Sequence, residues 1–310
     1  MKIALLLSGH LRDIAGSIAA LRAIREALDC DVFVHTWKAR DMHAATWRQP
    51  EFAGEVLSDI DLVDAELRPI DTIVEDDAVA PLAAFYGTDF GGERRPTGAH
   101  FMIYAMDAVR RLAAAYAVRS GFAYDVAIRF RFDAICRDLD ALHDDVAAVT
   151  TGERDVVMPA HNWATSLGAF FDGILITRFA SNDEIMQSLP HRFDAACAAM
   201  RPGERFVPEM FIVDAIRATG HTIDAARGEY ALIRQGARVE QIYRADVGRR
   251  ERLLSELYVT DLVVRERRTN ADTAVDRSWR AAVSAPRRAV LRILLPAYRL
   301  AIRLRPQRNT

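Results

Sequence analysis

The chain has 310 residues, of which 51% are hydrophobic and 27% are charged, and its formal net charge is −2. These fractions indicate a folded globular protein with a full hydrophobic core in one large or two modest domains. Residues 277–310 carry nine arginines and no acid, which leaves a net charge of −11 on the preceding 276 residues. An acidic body of this kind argues against a nucleic-acid-binding protein.

The cysteines and the N-terminal residues indicate in which cellular compartment the protein is expected. Cys30, Cys136 and Cys197 are widely spaced and form no C-x-x-C pair, which argues against a disulfide scaffold or a zinc site and favours a reducing environment. The apolar run at the N-terminus ends after five residues, before His10 and Arg12. Such a run is too short for a signal peptide or a bilayer span. We therefore expect a cytoplasmic protein.

The first two predicted strands end in polar residues. Residues 3–7 and 31–37 are apolar runs typical of parallel strands buried on both faces, and a helical pattern lies between them. The turn at residues 8–12, Ser-Gly-His-Leu-Arg, presents backbone N–H groups and a helix N-terminus to an anion. A plain tight turn explains it equally well. His35 lies at the same sheet edge and is a further candidate, with packing against the first helix as the alternative.

The most informative stretch is residues 124–135, which begins as an apolar strand and continues as Arg-x-Arg-x-Asp. Side chains alternate along a strand, so Arg129, Arg131 and Asp133 are predicted to share one face. Burying unpaired charges costs several kcal/mol, so this strand end needs a solvent-filled cleft or an anionic partner. Ligands of open α/β sheets bind just beyond the carboxyl ends of strands. The alternative is an Arg/Asp network that ties two loops together.

Three later residues complete the candidate site. Asp172 precedes an apolar strand, Glu209 opens a helix after Pro208, and Arg234 follows another apolar run. Arginines beside a glycine turn suit a diphosphate, because guanidinium forks match phosphate oxygens. Lone carboxylates suit a divalent cation or a general base for a hydroxyl acceptor. A diphosphate site with a base describes sugar transfer from a nucleotide donor, although Glu209 is equally explained by the helix dipole.

Residues 1–235 resemble a group of bacterial proteins from polysaccharide and lipopolysaccharide gene clusters, the GT-A-like glycosyltransferases that include WavE-type proteins. The resemblance rests on short motifs in the same order, at residues 3–12, 31–37, 124–133, 208–209 and 230–234 and around Asp172. It implies an α/β fold with a Rossmann-like, GT-A-type, mostly parallel sheet flanked by helices, over residues 1–260. It also implies a nucleotide-diphospho-sugar donor and a glycan or glycolipid acceptor in cell-surface polysaccharide or lipopolysaccharide synthesis.

The resemblance places residues 129–133 where GT-A enzymes carry an Asp-x-Asp metal motif. Arginine at two of these positions argues against a metal held by paired carboxylates, and Arg129 and Arg131 are then the cations for the leaving diphosphate. Asp133 is the predicted ligand for one Mg²⁺ or Mn²⁺, and Asp172 or Glu209 is the predicted base. The predicted donor-binding residues are Ser8, Gly9, His10, Arg12, His35, Arg129, Arg131 and Arg234.

Residues 261–310 predict a linker and a basic helical tail. Residues 279–305 combine apolar side chains with arginines only, as in amphipathic helices that lie on an anionic membrane, here the inner face of the plasma membrane. Pro296 is expected to kink this helix. Docking on the acidic body of the same chain, or on a second copy, explains the pattern equally well.

Two other functional classes fit the same residues. A nucleotidyl- or phosphotransferase of polysaccharide metabolism would use the same Arg/Asp edge and would show strict metal dependence. A non-catalytic scaffold would bind a membrane through its tail and a partner through the rest. In that case Arg129→Ala and Arg131→Ala would change folding stability and nothing else.

Overall fold

A computed structural model describes residues 1–11, 14–38, 59–75, 79–87, 98–160, 170–199, 208–234, 238–243, 253, 257 and 285–303. Arg12, a predicted donor contact, lies outside these residues, and so does the side chain of Arg234. The strands among the described residues are β1 (Ile3–Ser8), β2 (Asp31–Trp37), β3 (Asp71–Glu75), β4 (Val126–Phe130), β5 (Ala134–Cys136), β6 (Val156–Met158), β7 (Ile174–Arg178), β8 (Ile223–Ala225), β9 (Tyr230–Arg234) and β10 (Arg238–Tyr243). The helices are α1 (Ile14–Leu28), α2 (Ile60–Leu67), α3 (Val79–Tyr86), α4 (Gly98–Ser120), α5 (Leu139–Thr151), α6 (Phe179–Ala199), α7 (Pro208–Ala218) and α8 (Ala285–Arg303).

The main sheet has seven strands in the order β3-β2-β1-β4-β7-β6-β8. β7 pairs antiparallel with β4 and β6, and every other pairing in this sheet is parallel. The predicted α/β fold with a mostly parallel sheet flanked by helices is therefore confirmed, and so is the C-terminal helix. The chain order turns round between β1 and β4, which is the switch point where α/β sheets bind ligands.

Helices cover both faces of the sheet, as the unbroken apolar sequence of β1 requires. Alternate residues of β1 face opposite sides: Leu5 and Leu7 belong to the core with α1 and α5, whereas Ala4 and Leu6 pack with α4. Ala127 of β4 lies on the α4 side too. Arg129, two residues further along β4, therefore points to the same side.

The second sheet, β10-β9-β5, is antiparallel, and it corrects two predictions. The stretch at residues 124–135 is not one strand, because β4 ends at Phe130 and a turn leads into β5. This turn forms because β5 leaves the main sheet and pairs with β9. The short runs at residues 222–223 and 230–234 also predict a pair of strands, but β8 pairs with β6 in the main sheet and not with β9. The boundary between the two predicted domains stays a prediction.

Candidate functional site

The carboxyl ends of β1 and β4 open into a pocket of about 380 Å³. Its walls come from these two strand ends, from the first turns of α4 and from the start of α7. β1 and β4 lie side by side, and Leu7 is level with Phe130, so residues that leave these strands meet in one place. The predicted site residues that line the pocket are Ser8, Gly9, His10, Arg129, Arg131, Asp133, Asp172 and Glu209.

The turn after β1 depends on Gly9. Its φ is +122°, a conformation that side chains with a Cβ rarely adopt, and its N–H donates to the carbonyl of His35 at 3.2 Å. A Cβ at Gly9 would have open space around it, so the requirement is conformational and not steric. The turn ties the end of β1 to β2 and directs His10 into the pocket lining.

Arg129 is a buried cation that no carboxylate of the described residues contacts as an ion pair. The residue is only 2% exposed. Its Nε donates to Ser8 Oγ at 3.4 Å, and its Nη1 donates to the backbone carbonyl of Asp172. In the described part of the chain it forms no ion pair. Burial lowers the pKa of Arg129 to about 10, although the charge of Asp172 opposes this shift, so the guanidinium is charged at neutral pH.

Arg131 and Asp133 form a planar fork. Arg131 Nε donates to Asp133 Oδ1 at 2.9 Å, and its Nη2 donates to Oδ2 at 2.8 Å. Asp133 is 3% exposed, whereas the Arg131 side chain is 24% exposed. The Arg131 guanidinium also lies over the Phe171 ring, 6.0 Å from its centroid. The buried carboxylate therefore fixes the more exposed guanidinium in the pocket wall.

The turn before β7 supplies the carboxylate of Asp172. Asp172 is 7% exposed and lines the pocket. The described residues make no hydrogen bond or ion pair to its carboxylate; Arg129 binds the backbone carbonyl of Asp172, and the carboxylate acts on Arg129 only through its charge. Gly173 supports this turn: its carbonyl accepts from Arg131 N at 2.9 Å, and a Cβ at this position would overlap the Phe171 ring. The turn therefore leaves one acceptor group facing the pocket.

Glu209 is a further carboxylate of the pocket. It lies in the first turn of α7 directly after Pro208 and is partly buried. Pro208 lacks the N–H that a first-turn residue leaves unused, which is why the helix begins there. The pocket lining thus has three carboxylates: Asp133, which Arg131 binds, Asp172 before β7 and Glu209 on α7.

His35 is not in the pocket, contrary to its predicted role. Its side chain is fully buried under α4 and its ring lies 5.0 Å from that of Trp37 and 5.5 Å from that of Tyr104. Its Nε2 lies 3.6 Å from Glu75 Oε1. Burial opposes the ionisation of Glu75, but His35 and the Tyr104 hydroxyl outweigh it and lower the pKa of Glu75. His35 is therefore a packing residue, but it packs under α4 and not against the first helix, as the alternative interpretation had it.

Several aromatic residues of the site were not predicted. The position of Trp37 at the end of the second apolar run predicts packing against the first helix, yet Trp37 lines the pocket and packs with α4 instead. Its ring lies 4.8 Å from that of His10 and 5.8 Å from that of Phe101, which also lines the pocket. The position of Trp37 at a polar strand end was the available signal. Nothing local in the sequence pointed to Phe101 or Phe171.

The residues do not fit a metal ion held by Asp133. Both of its carboxylate oxygens accept from Arg131. Among the described residues there is no group of three or more His, Cys, Asp and Glu side chains that could hold a metal ion. Arg234 is likewise not among the pocket residues that the structure describes, and β9 carries its backbone in the second sheet.

The fold and the pocket define an α/β protein with an arginine- and carboxylate-lined ligand pocket at the switch point of its sheet. No family model matches the chain, and no curated protein sequence matches it. The chain is similar to solved structures of glycosyltransferases. The galactosyltransferase LgtC in complex with donor and acceptor sugar analogs is 14% identical, over 73% of this chain and 74% of that chain, with a TM-score of 0.38.

Two further structures are similar to the chain. The mannosyltransferase PcManGT from Pyrobaculum calidifontis, in complex with GDP-Man and Mn²⁺, is 11% identical over 97% of this chain and 82% of that chain, with a TM-score of 0.40. Mouse xyloside xylosyltransferase 1, in its apo form, is 11% identical over 72% of this chain and 83% of that chain, with a TM-score of 0.34.

Proposed function

We propose that the protein is a glycosyltransferase that moves a sugar from a nucleotide-diphospho-sugar to a hydroxyl of a glycan or glycolipid acceptor. Arg129 carries this proposal. A buried guanidinium to which no carboxylate of the described residues is hydrogen-bonded is costly, although the charges of Asp172 and Asp133 offset part of that cost. An anionic ligand in the pocket supplies a direct partner. The resemblance of residues 1–235 to proteins of polysaccharide and lipopolysaccharide clusters supports a role in cell-surface glycan synthesis.

In the proposed reaction, the acceptor hydroxyl oxygen bonds to the anomeric carbon of the donor sugar. The bond from that carbon to the diphosphate oxygen breaks, and the diphosphate leaves with the electron pair. Arg129 stabilises the negative charge that develops on the leaving group. The acceptor proton passes to the carboxylate of Asp172, which has no hydrogen bond from the described residues and sits on the residue whose carbonyl binds Arg129.

The geometry favours this reaction over the two alternatives. A nucleotidyl- or phosphotransferase relies on metal-binding carboxylates, and the described residues offer no such cluster. A scaffold has no use for a buried cation that lies beside an open pocket and pairs with no carboxylate of the described residues. Sugar transfer uses both this cation and the Asp172 carboxylate, to which the described residues donate no hydrogen bond.

Thermal unfolding with a panel of nucleotides tests the donor site. The panel contains UDP, GDP, dTDP and the monophosphate CMP, each with Mn²⁺ and with EDTA. We expect one diphosphate to raise the unfolding temperature, since a ligand at about 100 times its dissociation constant adds about 2.7 kcal/mol. For a chain of this size the rise is at least about 4 °C. The same nucleotide should then be released when its sugar conjugate is incubated with glycan acceptors.

CMP tests for a donor that leaves as a monophosphate, and a shift with CMP alone would contradict a diphosphate donor. If no nucleoside diphosphate shifts the unfolding temperature and no sugar nucleotide is consumed, the proposed function is wrong.

We also propose that α8 binds an anionic membrane surface. No helix in the described ranges is long and apolar enough to cross a membrane. Leu291 and Leu295 are buried on one side of α8, whereas Val290, Ile293 and Leu294 are exposed on another. Their spacing places them on one face. The surrounding segment carries nine arginines and no acid, which complements anionic lipid headgroups.

Vesicle sedimentation tests this surface. We expect the protein to bind phosphatidylglycerol-containing vesicles and not pure phosphatidylcholine vesicles. The double variant Ile293→Ser and Leu294→Ser should bind at least about tenfold more weakly, because each buried aliphatic side chain contributes about 1.5–3 kcal/mol. Val118→Ser is the control, since Val118 is 81% exposed on α4. Equal binding by both variants would show that α8 does not contact lipid.

A further inference from the structure

We propose that Arg131, positioned by Asp133, supplies the second positive charge that binds the donor diphosphate and takes the place of a divalent metal ion. The proposal rests on the proposed function, because it names the cation of the same site. It assigns Asp133 a positioning role and not a metal-binding one.

The backbone around the fork is held by two other elements. Arg131 N donates to the carbonyl of Gly173 at 2.9 Å, in the turn before β7, and Ile233 N of β9 donates to the carbonyl of Asp133 at 2.8 Å. The Phe171 ring packs on the guanidinium. Arg131 is thus fixed by the main sheet, the second sheet and a buried carboxylate before any ligand arrives. Such preorganised cations are the ones that stabilise developing charge most effectively.

Arg129 and Arg131 are close enough to repel each other. The charge of Arg131 contributes to lowering the pKa of Arg129, after the larger effect of burial. A diphosphate bound between the two guanidiniums would attract each of them and so offset their mutual repulsion. A divalent cation at the same place would meet two positive charges, and it would have to displace Arg131 from both oxygens of Asp133. The charges of Asp172 and Asp133 act in the opposite direction and raise the pKa of Arg129, so what disfavours a metal ion here is that both oxygens of Asp133 already accept from Arg131.

Calorimetric titration with inorganic pyrophosphate and with UDP, GDP and dTDP tests the proposal, each in EDTA and in Mn²⁺. We expect binding in EDTA that Mn²⁺ does not strengthen. Arg131→Lys keeps the charge but loses the fork, and it should weaken pyrophosphate binding about tenfold to 100-fold, as expected for hydrogen bonds to charged groups. Lysine keeps a positive charge beside the buried Asp133, so the variant should stay folded, which its thermal unfolding checks. Arg137→Ala is the control for overall charge, because Arg137 pairs with Glu229 on the surface.

Asp133→Asn distinguishes positioning from a simple charge effect. The substitution removes one negative charge beside the site, so a charge effect alone would tighten pyrophosphate binding. A positioning role gives the opposite sign: binding weakens about tenfold, because Arg131 loses one side of its fork. Asp133→Glu keeps the carboxylate and should recover part of the affinity.

The outcomes separate this inference from the proposed function. If nucleotide binding requires Mn²⁺, the inference that Arg129 and Arg131 bind the diphosphate without a metal ion is wrong. The proposal that the protein transfers a sugar is not affected by that result. Arg131-dependent pyrophosphate binding in EDTA, without binding of any nucleoside diphosphate, supports the cation pair and rejects the proposed donor. Tighter pyrophosphate binding by Asp133→Asn, or wild-type binding by Arg131→Lys, overturns the inference.

Discussion

Arg129→Met is expected to abolish diphosphate binding while the protein becomes no less stable. Methionine fills a similar volume without a charge, and replacing a buried charge by an apolar side chain is often neutral or stabilising. The substitution leaves the Asp172 carbonyl without its donor, which costs about 1–3 kcal/mol, but it also removes the desolvation cost of the guanidinium. Diphosphate affinity should fall at least about 30-fold, because truncating a buried charged partner costs 2–5 kcal/mol or more.

Arg110→Met is the matched control for this substitution. Arg110 is also buried, but its Nε and Nη2 donate to Asp107 at 3.1 and 2.8 Å, and its Nη1 pairs with Asp183. Among the described residues, its removal leaves Asp107 with Arg111 alone and Asp183 with Gln187 alone, and the lost hydrogen bonds to charged groups should cost about 1.5–3 kcal/mol of stability. Diphosphate binding should not change. Calorimetric titration and thermal unfolding of both variants give the two readouts.

The two variants are therefore expected to give opposite results. Arg129→Met loses diphosphate affinity but not stability, whereas Arg110→Met loses stability but not diphosphate affinity. If Arg129→Met loses stability as Arg110→Met does and still binds diphosphate, Arg129 belongs to a structural network. That result would remove the observation on which the proposed function depends.

The strands β1 and β2 of the main sheet were predictable because their sequences fit only a position that is buried on both faces. β1 and β2 are unbroken apolar runs, which have no polar face to present to water and so must lie between two layers of helices. The ends of such strands were predictable for the same reason. Ser8 and Arg129 are the first polar residues after long buried runs, and the parallel pairing of β1 and β4 brings them together.

The partners of the polar residues were not predictable, since they come from distant parts of the chain. The position of His35 at the end of β2 predicts that it binds a ligand, but Tyr104 of α4 and Glu75 of β3 lie against its ring. Arg131 and Asp133 were expected to project in parallel from one strand. The pairing of β5 with β9 bends the chain into a turn there, and the turn joins their side chains in a fork. No local pattern distinguishes this fork from a metal ligand.

Asp172→Asn is expected to retain donor binding and to lose turnover by about 10²- to 10⁴-fold, the usual contribution of a general base. Asparagine has nearly the same shape, and the backbone carbonyl that accepts from Arg129 is untouched. The amide, however, cannot take the proton of the acceptor hydroxyl. The measurements are kcat and KM for donor and acceptor, with donor affinity measured separately by calorimetry.

Glu209→Gln is the matched comparison, because Glu209 is the other carboxylate that was predicted to act as the base. It lies in the pocket lining on α7. A side chain that only binds the acceptor loses affinity when its charge is removed, so this variant should raise the acceptor KM and leave kcat within a few-fold. The reverse pattern, with kcat lost in Glu209→Gln and kept in Asp172→Asn, would move the base to α7. The diphosphate would still bind at the end of β4, since neither substitution changes the guanidinium groups of Arg129 and Arg131.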